Sequence, residues 1–272
     1  MPEAVPTQAE ADERYLALIR NALRVCLNYK PAFGHGKGDG ISVARFQQIY
    51  REDEFYGWFG LDSPLVYAAH KAAGGMTSVY RQIGLSCQLV FQNVLQDTLG
   101  LTAADATWSY KVKSQGVKAR SLSLDGRIPL DKIGAAPARK RAAAWLAEAT
   151  ESVGLKDKNA LGFQGCVFEV RQGYKSNDAK RQNADVSNAA NAFAHRYLPV
   201  MVLLSVQIPD NLAERYQRAH WLILRGTVGG TATDSTYVFC RDVLEYDLAG
   251  FFRRNSAAIK CETLAVFEGL LK

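Results

Sequence analysis

The chain has 272 residues, 48% hydrophobic and 22% charged, which suits one large domain or two small ones and excludes a low-complexity or disordered chain. The net charge of +6 is local, because residues 111–181 hold 15 Lys and Arg against seven Asp and Glu while the remainder is slightly acidic. That focus attracts polyanions, nucleic acid first, although a solvated basic face would look the same, and no apolar run approaches the roughly 18 residues of a membrane span.

Residues 1–10 read as disordered and carry neither the basic nor the apolar region of a secretion signal, so a cytoplasmic protein is expected. Apolar residues near helical spacing predict a helix over 11–29, stopped by Pro31 and the glycine-rich segment 34–40. That segment lacks the order of a phosphate-binding loop and follows no strand, so it reads as a surface loop. Asp62-Ser-Pro opens further helix. Val79, Ile83, Cys87, Val90, Phe91, Val94 and Leu95 mark a long helix over 76–99, with Gln88 and Gln92 on its solvent side and Gly100 as its C-cap. The first hundred residues therefore form a mostly helical region, and residues 101–272 a second region of mixed character.

Alternation predicts strands over 108–113 and 119–130, and a helix follows over 136–153. Residues 165–171 read as a strand running into a polar-faced helix over 178–197, whose stripe is Val186, Ala189, Ala190, Phe193 and Tyr197. Strands are then expected over 199–206, 221–225 and 235–240, and helices over 210–218, 242–250 and 255–271. The five cysteines, Cys26, Cys87, Cys166, Cys240 and Cys261, are odd in number with no close pair, so reduced thiols are expected rather than a disulfide framework or a zinc cluster.

Chemistry concentrates on the strand at 165–171. Cys166, Phe168 and Val170 share one face, and Glu169 and Arg171 share the other, about 7 Å apart; Lys175 joins them if the strand stays straight. A carboxylate beside cations is what a metal-dependent nuclease needs. The plainer alternative is a rim salt bridge of Glu169 with Arg171 or Lys175. The four histidines show no ligand spacing, and no nucleophile-elbow motif occurs.

From about residue 107 to 225 the chain resembles the PD-(D/E)XK nuclease superfamily, in particular type II restriction endonucleases. The resemblance rests on Phe168-Glu-Val-Arg171, the following Lys175 and the Lys180-Arg-Gln182 segment. It implies an αβββαβ core within a mixed α+β fold, a central mixed sheet flanked by helices, and Mg²⁺-dependent hydrolysis of phosphodiesters in double-stranded DNA by a homodimer. Carried over by position, Glu169 matches the acid of the triplet and Arg171 stands in its lysine place. Lys175 is the alternative lysine. Asp125 matches the earlier Asp because it lies on an alternating strand, with Asp157 the alternative; an Asp-Gly pair is also a common turn. Asp125 and Glu169 would hold the metal. An Arg cannot accept a proton near neutrality, so Arg171 and Lys175 would stabilise charge on the phosphate. Arg139, Lys140, Arg141, Lys180, Arg181 and Gln182 are the candidate DNA contacts. A non-catalytic DNA-binding protein of the same fold and a structure-specific repair or recombination nuclease are the alternatives.

Overall fold

Segment 197–203 is apolar without a charge, and 165–171 is apolar except at Glu169 and Arg171, the pattern of strands covered on both faces. The computed structural model places them side by side at the centre of a mixed α/β fold. It describes residues 6–33, 40–112, 120–155, 162–174 and 179–271, without the side chains of 112, 120 and 179–181. Lys175, Asp157 and residues 34–39 thus lie outside the described residues, as do the side chains of Lys180 and Arg181.

Helices α1 (Gln8–Arg24), α2 (Val43–Arg51), α3 (Glu54–Trp58) and α4 (Pro64–Leu99) come first. They are followed by β1 (Trp108–Val112), β2 (Arg120–Leu124), β3 (Gly126–Pro129), α5 (Ala136–Ser152), β4 (Gly165–Arg171) and α6 (Ala179–Ala194). The chain continues with β5 (Tyr197–Leu203), α7 (Asp210–Arg218), β6 (Leu222–Leu224), α8 (Thr236–Asp242) and α9 (Leu248–Leu271). β1 and β2 form an antiparallel pair of their own, and the main sheet has the order β3-β4-β5-β6. β3 is antiparallel to β4, while β4, β5 and β6 are parallel. Parallel neighbours need a crossover, and α6 and α7 supply the two crossovers.

The chain divides into two compact units. One comprises Arg14–Ser86 and Asn255–Lys272. It is helical, with a core that includes Tyr15, Leu23, Phe46, Val79 and Val266, and Arg24 there grips Glu262 through Nε at 2.6 Å. The other unit, Met1–Glu13 with Cys87–Arg254, holds both sheets. On one face of its main sheet Phe168 meets Phe91 of α4 and Phe239 of α8, with ring centroids 5.1 and 5.9 Å apart. On the other face Val167, Met201 and Leu203 pack with Trp108, Tyr110, Ala189, Leu212, Tyr216 and Trp221.

Most helices and strands fall where periodicity puts them, and Gly100 closes α4 in a left-handed conformation at φ 64°. Leu101 N–H then reaches back to Gln96 O at 3.2 Å, the hydrogen bond of a Schellman turn. Four expectations need correction. The strand expected over 119–130 is broken at Asp125 into β2 and β3, which belong to different sheets. Residues 235–240 form helix rather than strand: the Ser235 hydroxyl accepts from Val238 N–H at 3.1 Å and caps α8. A single helix, α9, replaces the break expected after 250, because Asp247 accepts from Gly250 and Phe251 and starts the helix there. Residues 8–10, expected to be disordered, belong to α1. All five cysteines are free, four of them buried, and no described helix is long and apolar enough to cross a membrane.

The start of β4 requires glycine. A Cβ on Gly165 would lie 1.9 Å from the backbone oxygen of Ile128 on β3, so a side chain there must push the two strands apart. Gly165→Ala is expected to lower stability by about 1–3 kcal/mol, as overpacking in a closed site does. Gly134→Ala, where a Cβ meets nothing within 4 Å, is the control and should stay within about 0.5 kcal/mol. Urea denaturation of the three proteins measures both.

Candidate functional site

Glu169 and Arg171 point to the same side of β4 as Val167, into the face that α6, α7 and the β1–β2 pair cover. A charged pair on that face has to be neutralised internally. Arg171, with a side chain only 7% exposed, places Nη2 2.8 Å from Glu169 Oε1 and 2.9 Å from Asp185 Oδ1. One guanidinium nitrogen therefore serves two carboxylates. Tyr216 donates its hydroxyl to Asp185 Oδ2 at 2.6 Å, and Trp221 Nε1 donates to the Asp185 carbonyl at 3.2 Å. The Tyr174 hydroxyl lies 3.1 Å from that of Tyr216, and its ring sits under the Arg171 guanidinium at 5.5 Å. Tyr110 donates to Asn188 Oδ1 at 2.5 Å on the same side.

The electrostatics follow from this packing. Burial works against the Arg171 charge, but Glu169, Tyr174 and Asp185 outweigh it and hold the guanidinium firmly protonated. Burial pushes the Tyr174 hydroxyl up to about 12. The Tyr216 hydroxyl is raised further, by burial first and then by its hydrogen bond to Asp185. Tyr110 is raised by burial and by the charge of Glu169.

Asp125 stands at the bend between β2 and β3, just outside the Gly126–Phe168 pair that ends the β3–β4 register. Its N–H donates to Phe168 O at 2.8 Å, and its Oδ2 accepts from Val170 N–H at 2.9 Å. Gln88 Nε2 donates to Oδ1 at 2.5 Å, and Gln92 donates to the Asp125 carbonyl. Both glutamines were expected in solvent. They sit instead at the edge of the apolar stripe of α4, where the β2–β3 bend docks. The Asp125 carboxylate is thus fixed beside the backbone of the residue that follows Glu169.

The remaining expected contacts divide. Arg139 and Lys140 are exposed on α5, whereas Arg141 bonds Glu245 at 2.8 Å. Gln182 Oε1 accepts from Arg215 Nη1 at 2.7 Å, and Arg215 Nη2 donates to Asn183 at 2.5 Å, so Gln182 is tied to α7. Asp185, outside the apolar stripe read from the sequence of α6, is nonetheless 2% exposed. The signal for it was present: Asp185 precedes Ala189 by four residues and Ala192 by seven, which puts all three on one stripe. Tyr174 and Tyr216 carried no such signal, because loop and helix meet only in the fold.

Asp125, at the β2–β3 bend, and Glu169, on β4, offer hard oxygen donors. Among the described residues no three His, Cys, Asp or Glu side chains group closely enough to hold a metal. Two carboxylates are still a number that Mg²⁺ accepts, since it keeps several waters and takes phosphate oxygens from substrate. No family model, no curated protein and no solved structure matches the chain.

Two outcomes test the buried cluster. Asp185→Ala leaves Arg171 with one carboxylate inside the fold and is expected to lower stability by about 3–5 kcal/mol, read by urea denaturation. The raised tyrosines predict alkaline instability. A group whose folded pKa lies above its unfolded value stabilises fully below the unfolded value and loses that contribution as pH rises through the folded one. For Tyr174 that window runs from its ordinary value of 10.0 to about 12. The thermal midpoint should therefore fall across this range together with the appearance of tyrosinate absorbance, and the fall should be shallower in a Tyr174→Phe, Tyr216→Phe protein.

Proposed function

We propose that the chain is a Mg²⁺-dependent nuclease of the PD-(D/E)XK type that hydrolyses phosphodiester bonds in double-stranded DNA, as a homodimeric, site-specific endonuclease. The observation that carries this reading is the Asp125 carboxylate fastened at 2.9 Å to the N–H of Val170, the residue that follows Glu169. An acid on one strand beside an acid on the next is the arrangement that such a nuclease uses. The mixed sheet and the basic excess over residues 111–181 support the same reading.

Asp125 and Glu169 would hold the ion. Bound there, Mg²⁺ would supply a water of lowered pKa and would offset charge on the phosphate. The protein's own groups do the rest. Gln88 and the Val170 amide orient the Asp125 carboxylate. Arg171, permanently protonated, balances Glu169 and Asp185 and so lets two acids share the interior face of the sheet. It does not accept a proton.

One observation favours a second reading, a DNA-binding protein of this fold without catalysis: Glu169 already has the Arg171 guanidinium as its cation. A plasmid nicking assay separates the two. The nuclease reading expects cleavage that requires Mg²⁺ and falls by ~100-fold or more in Asp125→Asn and Glu169→Ala proteins, the loss of several kcal/mol of charge stabilisation. Salt-dependent binding without any Mg²⁺-dependent nicking selects the second reading, and undiminished cleavage by Glu169→Ala removes the site assignment.

A further inference from the structure

The register of the main sheet sets a second arginine beside the first. Glu169 pairs with Met201 and Met201 with Ile223, so these three residues form one row across β4, β5 and β6. Two residues on, Arg171 pairs with Leu203. The β5–β6 pairing ends at Val202 with Leu224, and Arg225, two residues beyond Ile223, continues the chain through a parallel bridge to Ser235. Neighbours in register share a face. Arg171 and Arg225 therefore project from the same side of the sheet at its carboxyl end, two strands or about 10 Å apart.

The two differ in what meets them. Arg171 is closed in by Glu169 and Asp185. Arg225 is half-buried, and among the described residues its guanidinium has no carboxylate and no side-chain hydrogen bond. Its backbone, by contrast, is held on every side. Its N–H donates to Asp234 O at 2.7 Å, and its carbonyl accepts from Thr236 N–H at 2.9 Å. The next residue, Gly226, donates to Ser205 O at 3.3 Å, and a Cβ there would lie 2.3 Å from the Leu204 oxygen, so glycine is what lets the chain after β6 close on the chain after β5. Leu204 N–H donates to Arg171 O at 3.0 Å and completes the tie to β4.

We propose that Arg225 binds a backbone phosphate of duplex DNA at the carboxyl end of the parallel strands, next to the Asp125–Glu169 site; this rests on the nuclease reading and adds a binding residue to it. The carboxyl end of parallel strands is where open α/β sheets take their ligands. A guanidinium left unpaired beside an apolar face gains most from an anion, and its planar fork fits phosphate oxygens. The rigid backbone around Arg225 means little ordering is needed when that anion arrives.

Fluorescence anisotropy with labelled duplexes in metal-free buffer tests this, using the wild-type chain and Arg225→Ala, Arg225→Gln and Arg225→Lys proteins of comparable thermal midpoint. Loss of one phosphate contact is expected to weaken binding several-fold in the Ala and Gln proteins, equally for unrelated sequences, and to reduce the slope of log K against log salt by about 1. The Lys protein should recover the slope. Unchanged affinity and slope in both the Ala and Gln proteins overturn the Arg225 assignment and leave the nuclease reading standing. A loss confined to one duplex sequence also overturns the phosphate assignment. A wild-type chain that binds no duplex at any salt overturns both.

Discussion

A guanidinium inside a protein must find negative charge or the fold loses several kcal/mol, and Arg171 meets that demand with Glu169 on its own strand and Asp185 on the helix that follows. This pair of contacts ties β4 to α6. Tyr216 then brings in α7 through Asp185, and Trp221 brings in the chain just before β6. The connections that follow β4 and β5, together with the entry to β6, are thus anchored on one residue, the first two through its carboxylate and the last through its backbone carbonyl. Remove the carboxylate, and Arg171 and Tyr216 lose a common partner at once, while Trp221 keeps the backbone carbonyl.

The same cluster explains how an acid can sit on a face that is otherwise apolar. Glu169 alternates with Val167 and Arg171 on a strand whose neighbours across the sheet are Met201 and Leu203. Without a cation close by, burial would drive such a carboxyl toward its neutral form. Arg171 supplies that cation, its Nη2 2.8 Å from Glu169 Oε1 at the edge of the core, where Glu169 is 13% exposed. Asp125 is kept by different means, through an amide of β4 and a glutamine of α4. The two acids are therefore positioned by independent parts of the fold, one by charge and one by neutral hydrogen bonds.

Much of this architecture is legible from residue patterns. Period-two alternation locates β4, and the 3.6-residue stripe locates α4, because burial on one face leaves a mark on every second or every third to fourth residue. A rim salt bridge of Glu169 with Arg171 or Lys175 was one of two readings open from alternation alone; the bridge to Arg171 is present but largely buried. What pattern does not carry is partnership across the fold. Gln88 and Gln92 look like solvent-facing residues of an amphipathic helix until the β2–β3 bend is docked on them. Tyr174 and Tyr216, 42 residues apart in sequence, meet only because α7 returns over the sheet. Residues 235–240 have the composition of a strand, and a single serine cap decides for helix.

The two arginines on the carboxyl edge show why composition understates function. Both count equally toward the positive charge of the chain, yet register gives them opposite electrostatic settings. Arg171 is neutralised from within by two acids, so it contributes little field outside the protein. Arg225 has no carboxylate within salt-bridge distance among the described residues, and its backbone is bonded to Asp234 and Thr236. A polyanion approaching this edge meets the second and not the first. On the nuclease reading proposed above, attraction of substrate would fall to Arg225 and retention of the acid pair to Arg171, two residues with separate partners.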